Sequence, residues 1–281
     1  MNEFILFCCG HTDEQFVGYM GEICALTDVT DEVTGFANTD PQLAAETERR
    51  LLKKVHIALA TAPSLYESKR HLVRECYLVR NGVTPERFRP AMENRLPLPD
   101  DLQMIPTPRI GFVGVIAEWV DIKLLIKIAS WRPRWSFVLV GPIKRSIALP
   151  DLPPNIYLLG PKPYDMVPAY LQGIDVAIIP FERTEFITRY VNPIKLYEYL
   201  AAGKPVVTTP MGDYDGLETF VHIAETPEAF ASAIEVAMKE TTPQFKEARW
   251  RAILDRSWQV RANQVDVILR THLQRCHGLK L

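Results

Sequence analysis

Short apolar runs alternate with segments of helical periodicity along almost all of the 281-residue chain. From residue 109 onward the runs are unbroken, as in RIGFVG (109–114) and SFVLVG (136–141). Apolar residues at every position, instead of every second one, indicate strands that are buried on both faces of a sheet. Because helical segments lie between these strands, the chain is predicted to be an α/β protein with parallel sheets.

The two halves of this pattern differ in completeness. Residues 109–242 hold six candidate strands with crossover helices, enough for one doubly wound, Rossmann-like domain, whereas residues 1–90 hold only four. The predicted strands are 4–9, 23–27, 56–61, 77–80, 109–114, 136–141, 155–160, 175–181, 205–209 and 220–224. The predicted helices are 41–55, with Asp40 as its cap, 64–73, 119–131, 164–172, 193–202 and 226–239.

Residues 91–108 are rich in proline and show no periodicity, which disfavours regular structure. We therefore predict an interdomain linker in this segment. The tail, residues 243–281, has the pattern of one or two amphipathic helices and is predicted to pack back towards the first domain.

Composition excludes several classes of protein. The net charge is −2 with dispersed Lys and Arg residues, so no nucleic-acid partner is expected. Five cysteines without metal-ligand spacing indicate reduced thiols in the cytosol. No apolar run reaches the roughly 20 residues of a membrane helix, and the short run after Glu3 does not fit a signal peptide. These features predict a soluble, cytoplasmic protein.

The stretch NPIKLYEYLAAGKPVVTTP (192–210) predicts a helix followed by a strand. Asn192 suits the N-cap and Pro193 the first helical position. The free N–H groups and the dipole at a helix start favour anions such as phosphate. Lys195 lies in the first turn, and Arg183 and Arg189 precede it. Because cations usually avoid a first helical turn, these three predict a bound diphosphate.

Glu198 follows Lys195 by three residues and therefore lies on the same helical face. A carboxylate at this depth can accept hydrogen bonds from a ribose diol, each contributing about 1.5–3 kcal/mol. The alternative is an exposed Lys195–Glu198 ion pair worth a few tenths of a kcal/mol. Spacing alone leaves both interpretations open.

Glycines follow the first strands of the second block. Gly111 and Gly114 lie where a ligand approaches a doubly wound sheet, although tight packing would explain them equally well. The spacing is not G-x-G-x-x-G, and Gly141-Pro142 ends the next strand without the acidic residue that binds an NAD ribose. Gly141 is interpreted as part of a turn.

The segment LTDVTDEVTGF places Asp28, Asp31 and Glu32 just after a strand of the first block. Such a cluster could hold a metal, act as a general base or orient an acceptor, and a solvated loop is the alternative. The spacing is not Asp-x-Asp, so no metal is predicted.

Four segments resemble GT-B glycosyltransferases of the glycosyl transferases group 1 type, in the bacterial branch that builds surface polysaccharides. They are NGVTPERFRP, GFVGVIAEWVDIKLL, LLGPKPYDMVPAYLQGIDVAIIPF and NPIKLYEYLAAGKPVVTT. The resemblance begins near Ile23 and implies a GT-B-like fold of two Rossmann-like doubly wound domains. Compared with the family, the N-terminal domain is expected to be incomplete by on the order of 90 residues.

The resemblance also implies an activity and a site. It implies sugar transfer from a UDP- or GDP-sugar to a saccharide or lipid-linked acceptor, without a cofactor or metal, at the cytoplasmic face of a membrane or in peripheral association with it. Glu198 corresponds to the second glutamate of the family's Glu-x7-Glu motif and is expected to bind the ribose. Tyr190 replaces the first glutamate, so contacts to the donor sugar are expected to shift to Arg189, Asn192 or Lys195.

The remaining expected donor contacts are Arg183, Gly114 and Pro193. Asp31, with Asp28, resembles an acidic segment facing the cleft and is expected to be catalytic or to orient the acceptor. Three alternatives remain open: a non-catalytic nucleotide-sugar-binding remnant, a sugar-nucleotide epimerase, and a Rossmann oxidoreductase, which the absent dinucleotide fingerprint disfavours.

Overall fold

A computed structural model describes residues 3–35 and 40–278 of the chain. The chain forms two compact units. Unit 1 comprises residues 1–81, 188–192 and 259–281, and unit 2 comprises residues 82–187 and 193–258.

The elements of both units follow one another in chain order. The strands are β1 (Ile5–Cys8), β2 (Cys24–Val29), β3 (Ile57–Ala60), β4 (Glu75–Leu78), β5 (Arg109–Val113), β6 (Ser136–Val140), β7 (Ile156–Gly160), β8 (Val176–Ile179), β9 (Val206–Thr208) and β10 (Val221–Ile223). The α-helices are α1 (Pro41–Lys54), α2 (Pro63–Lys69), α3 (Pro85–Met92), α4 (Asp100–Gln103), α5 (Ile122–Trp131), α6 (Val167–Gly173), α7 (Glu185–Tyr190), α8 (Ile194–Ala201), α9 (Pro227–Ala237), α10 (Pro243–Ile253) and α11 (Trp258–His277). Each predicted strand is present within two residues of its expected limits.

The sheet of unit 1 is parallel and has the order β1-β2-β3-β4. Its helix α1 begins as predicted, since the Asp40 carboxylate accepts hydrogen bonds from the N–H groups of Gln42 and Leu43. On the sheet, the α11 residues Ile268 and Leu273 pack in one core with residues of β2 and β3. The C-terminal helix is therefore part of the hydrophobic core of unit 1.

The sheet of unit 2 is also parallel and has the order β10-β9-β8-β5-β6-β7. The chain runs outward from β5 through β6 to β7, and then returns to the other side of β5 to build β8, β9 and β10. This is the doubly wound order of Rossmann-like domains, in which the direction of winding reverses between the first and fourth strands. The reversal opens a crevice at the carboxyl ends of β5 and β8.

The predicted linker is wrong as a description of residues 91–108. This segment contains helix α4 and belongs to unit 2, where Leu102 and Ile105 are buried. Its prolines flank the helical turn instead of interrupting it, and Pro99 occupies the N-cap of α4. The unit boundaries also differ from the predicted limits, since unit 2 begins at Gly82 and includes α10.

Gly141 has a structural role that its interpretation as a turn residue missed. Its φ angle is +147°, and a Cβ atom built there would lie 2.0 Å from the Gly114 carbonyl oxygen. The Gly114 N–H in turn donates to the carbonyl of Val140 at 2.8 Å. The two glycines therefore allow the backbones at the ends of β5 and β6 to approach closely.

We predict that Gly141→Ala destabilises unit 2 more than Gly160→Ala does. A positive φ angle alone costs a residue with a Cβ about 1–2 kcal/mol, and both positions carry that cost. At Gly160 a Cβ would meet nothing within 4 Å, whereas at Gly141 the methyl must displace the Gly114 backbone. Urea denaturation of both variants measures the difference, and equal losses of stability would contradict the close approach.

Candidate functional site

Helix α8 is fixed at the crevice by one buried tyrosine. The pairing of β5 with β8 ends at Gly111 and Ala177, two residues before β5 itself ends. There the Tyr199 hydroxyl accepts a hydrogen bond from the Val113 N–H at 2.8 Å and donates one to the Val113 carbonyl at 3.1 Å. Tyr199 thereby satisfies backbone groups that β8 does not reach, and it attaches α8 to the end of β5.

The loops around the crevice are also held by backbone hydrogen bonds. In the loop after β5, Ile116 donates to Pro142 at 2.9 Å and Asp121 donates to Pro180 at 2.7 Å. The Glu182 N–H donates back to the Trp119 carbonyl at 2.8 Å. The loops that follow β5, β6 and β8 are therefore joined, and the rim of the crevice is preorganised.

Lys195 lies in the first turn of α8, and its ammonium group faces aromatic rings. Its Nζ lies 5.5 Å from the ring centroid of Phe112 and 5.0 Å from that of Phe181. With the described residues it forms no ion pair or hydrogen bond. Burial lowers its pKa to about 8, although the charge of Glu198 opposes this shift. A cation in this setting is suited to an anionic ligand.

Gly114 leaves the space that Lys195 occupies. Its φ angle is +151°, and a Cβ atom there would lie 3.0 Å from Lys195 Cε and 3.4 Å from the Phe112 ring. Two predicted donor contacts, Gly114 and Lys195, are thus adjacent at the end of β5.

Glu198 is only 8% exposed, and the interpretation as an exposed ion pair with Lys195 is therefore wrong. The Tyr164 hydroxyl donates a hydrogen bond to Glu198 Oε1 at 2.7 Å. Burial raises the pKa of Glu198, while Tyr164, Lys195 and Arg87 act in the opposite direction. A partly desolvated carboxylate therefore lies one helical turn beyond the ammonium group.

Sequence reasoning missed two residues beside Glu198. Tyr164 lies in a short 3-10 helix (Tyr164–Met166) after β7, and Cζ of Arg87 lies 4.6 Å from the centroid of its ring. Arg87 also pairs with Asp165 at 2.9 Å. Tyr164 follows a strand at the carboxyl edge of the sheet, which is a usable signal for a ligand site. Arg87 comes from α3, in a segment assigned to the other domain, so spacing could not have found it.

The helix start differs from its predicted form. Helix α8 begins at Ile194, and its N-cap is Pro193, which provides no side-chain hydrogen bond. Asn192 is therefore not the cap; it is buried in unit 1, where its carbonyl accepts a hydrogen bond from Asn81 Nδ2 at 2.7 Å. The helix-start prediction was off by one residue, because proline also occupies N-cap positions.

The two arginines predicted beside Lys195 lie in separate settings. Arg183 is exposed after β8, and with the described residues it forms no hydrogen bond or ion pair. Arg189 belongs to unit 1, where it is exposed and its Cζ lies 5.3 Å from the centroid of the Tyr190 ring. Of the three predicted cations, Lys195 and Arg183 therefore belong to unit 2 and Arg189 to unit 1.

Asp28 and Asp31 lie together at the carboxyl edge of the unit 1 sheet. Both line a cavity of about 190 Å³, together with His11, Thr30 and Glu48. Burial, and secondarily the charge of Asp31, raises the pKa of Asp28 to about 6. Burial also raises the pKa of Asp31, against a hydrogen bond from Thr30. These carboxyl groups are partly buried, which argues against a simple solvated loop.

Glu32 has a different role from its two neighbours. The buried ammonium of Lys69 donates to Glu32 at 2.8 Å and to Glu48 at 2.7 Å. Burial by itself lowers the pKa of Lys69, but the two carboxylates raise it above its ordinary value. Glu32 is therefore part of a buried ion-pair network and has little capacity for a ligand.

Residues 3–35 and 40–278 hold neither a cluster of metal-ligating side chains nor a membrane-spanning helix. They contain no group of three His, Cys, Asp or Glu side chains arranged to hold a metal ion. No helix within these ranges has the length and apolarity needed to cross a membrane.

Comparison with known sequences identifies proteins that are similar to this chain. Residues 107–240 match the family model described as glycosyl transferases group 1. The chain is also 27% identical over 244 residues to the putative teichuronic acid biosynthesis glycosyltransferase TuaH of Bacillus subtilis (strain 168). That alignment covers 79% of this chain and 61% of the relative.

Solved structures share the fold at low sequence identity. Sucrose-phosphate synthase from Thermosynechococcus elongatus superposes with a TM-score of 0.73 at 15% identity, over 96% of this chain and 74% of the other. Anabaena HepE, solved in complex with UDP-glucose, superposes with a TM-score of 0.71 at 13% identity, over 95% and 78% of the two chains. The predicted fold class and resemblance are confirmed: residues 107–240 resemble the glycosyl transferases group 1 family, and the fold of the chain is GT-B-like.

Proposed function

We propose that this chain transfers a sugar from a nucleotide-diphosphate sugar to a saccharide or lipid-linked acceptor in cell-surface polysaccharide synthesis. The observation that carries the proposal is the pair of Lys195, without a counterion among the described residues, and the buried Glu198 at the crevice of the unit 2 sheet. The relative TuaH is named for teichuronic acid biosynthesis, which supports a role in cell-surface polysaccharide synthesis. The HepE complexes with UDP and UDP-glucose support a nucleotide-diphosphate sugar as the donor.

Each donor-binding residue has a specific task in this proposal. Lys195 neutralises the diphosphate as it leaves, and the backbone at Gly114 and at Pro193 lines the same anion site. Glu198 accepts hydrogen bonds from the ribose hydroxyls. Arg183, Arg189 and Asn192 remain proposed contacts of the outer phosphate or the sugar. No metal or cofactor takes part in this scheme.

On the acceptor side, Asp31 and Asp28 orient the acceptor hydroxyl or take its proton. An ionised carboxylate is required for proton removal, and a pKa near 6 at Asp28 leaves that group ionised at neutral pH. The cavity beside them can admit a hydroxyl group of a saccharide.

We predict that Glu198→Gln weakens binding of the preferred nucleotide, UDP or GDP, by about 10- to 100-fold, because a charge-assisted hydrogen bond to the ribose is weakened. Isothermal titration calorimetry of both proteins measures this change. Glu225→Gln, which alters an exposed glutamate of the same unit, is the matched control and should bind like wild type. Equal nucleotide affinity of Glu198→Gln and wild type would refute the ribose assignment.

We predict that nucleotide affinity falls as pH rises through about 8, because Lys195 loses its proton in that range. The charged form binds the diphosphate, so the loss approaches tenfold per pH unit above the pKa of Lys195. Lys195→Arg should remove this dependence, since a guanidinium stays protonated. Calorimetry between about pH 7.5 and about pH 9.5 tests both proteins, and a flat wild-type profile would contradict the role of Lys195.

We predict that Asp31→Asn lowers UDP release from UDP-glucose at least about 100-fold while nucleotide affinity stays unchanged, as expected for a group that acts in the chemical step. Wild-type activity should fall below about pH 6, where Asp28 becomes protonated. Asp28→Asn has no carboxyl group to protonate and should not show this fall. Retained turnover in Asp31→Asn would contradict the proposed catalytic role. Nucleotide binding by wild type without turnover, even with acceptors supplied, would instead favour a non-catalytic binding protein.

A further inference from the structure

The Glu198 carboxylate presents two oxygens that differ in their surroundings. Oε1 accepts the hydrogen bond of the Tyr164 hydroxyl at 2.7 Å. Within the described part of the chain, Oε2 accepts no hydrogen bond. A single side-chain donor therefore determines which of the two oxygens remains available.

The Tyr164 side chain is held in place by a neighbouring arginine. Tyr164 is 51% exposed, and the Arg87 guanidinium lies against its ring, with Cζ 4.6 Å from the ring centroid. Arg87 is also paired with Asp165, the residue that follows Tyr164. The short segment after β7 and the end of α3 are thus joined around this one ring.

We propose that Tyr164 is the positioning residue of the site: its hydroxyl orients the Glu198 carboxylate so that Oε2 meets a ribose hydroxyl of the bound nucleotide. This inference depends on the proposed function, because it assumes that Glu198 binds a ribose. Because the hydrogen bond from Tyr164 already fixes one oxygen, the carboxylate loses less rotational freedom when the nucleotide binds. The hydrogen bond between Oε2 and the ribose therefore contributes more to the affinity. The donated hydrogen bond also favours the ionised form of Glu198 in a desolvated setting.

If Tyr164 had only a structural role, its substitution would affect ligand binding in a different way. Loss of a packing contact would weaken the binding of every ligand to the same extent, whereas loss of a positioning bond affects only ligands that carry the hydroxyls Glu198 binds. A variant that removes the hydroxyl and keeps the ring separates the two roles.

The test compares Tyr164→Phe with wild type for binding of UDP and of 2′,3′-dideoxy-UDP by calorimetry. We expect Tyr164→Phe to bind UDP about tenfold more weakly and dideoxy-UDP as well as wild type does. The UDP deficit should grow as pH falls, because Glu198 becomes easier to protonate without the tyrosine. Tyr157→Phe is the matched control, since the Tyr157 hydroxyl in β7 makes no hydrogen bond with the described residues. It should bind both ligands like wild type.

Two results would overturn this inference alone. One is equal UDP affinity of Tyr164→Phe and wild type while Glu198→Gln is weakened; the other is equal loss for UDP and dideoxy-UDP. Failure of wild type to bind UDP or GDP would instead refute the proposed function. Arg87→Gln leaves the Tyr164 hydroxyl in place and should weaken UDP binding by a smaller factor than Tyr164→Phe does. It replaces Tyr164→Phe in the test if that variant does not fold.

Discussion

The hydrogen-bonded contact between Tyr199 and Val113 is the interaction on which the candidate site depends. A doubly wound sheet must reverse its winding between two strands, and the backbone groups at that point lose their neighbouring strand. An unpaired N–H or carbonyl in the interior costs about 1–3 kcal/mol. Tyr199 supplies one hydroxyl to both groups of Val113. The same contact holds α8, with Lys195 and Glu198, at the mouth of the crevice.

Charge burial differs between Lys69 of unit 1 and the α8 residues Lys195 and Glu198 of unit 2. In unit 1, Lys69 is enclosed by Glu32 and Glu48, so the buried charges compensate one another. In unit 2, Lys195 is held by aromatic rings and Glu198 by a neutral tyrosine hydroxyl. A buried charge with an oppositely charged partner is typical of a structural ion pair. A buried charge without such a partner is typical of a group that binds a ligand. This contrast distinguishes the candidate donor site from the structural ion-pair network.

Much of the fold was predictable because its signals are local. Continuous apolar runs located every strand, and Asp40 with Pro41 marked the start of α1. The linker prediction failed because it treated proline as a breaker of structure, whereas Pro99 initiates α4. Helix α7 was missed because six residues carry too little periodicity to be recognised. In the candidate site, Glu198 and Lys195 were predicted from their spacing on one helix together with the family resemblance. Tyr164 and Arg87 were not, since their proximity to Glu198 is tertiary.

The sequence by itself determined the strands, most of the longer helices and the helical face that carries Lys195 and Glu198, because these depend on patterns a few residues long. Only the tertiary structure decided which groups desolvate that face. The surroundings of Glu198 include Tyr164 and Arg87, which are separated from it by about 30 to 110 residues in the sequence. The difference between an exposed ion pair and a buried, ligand-ready carboxylate lies in those distant contacts. Local spacing is the same in both.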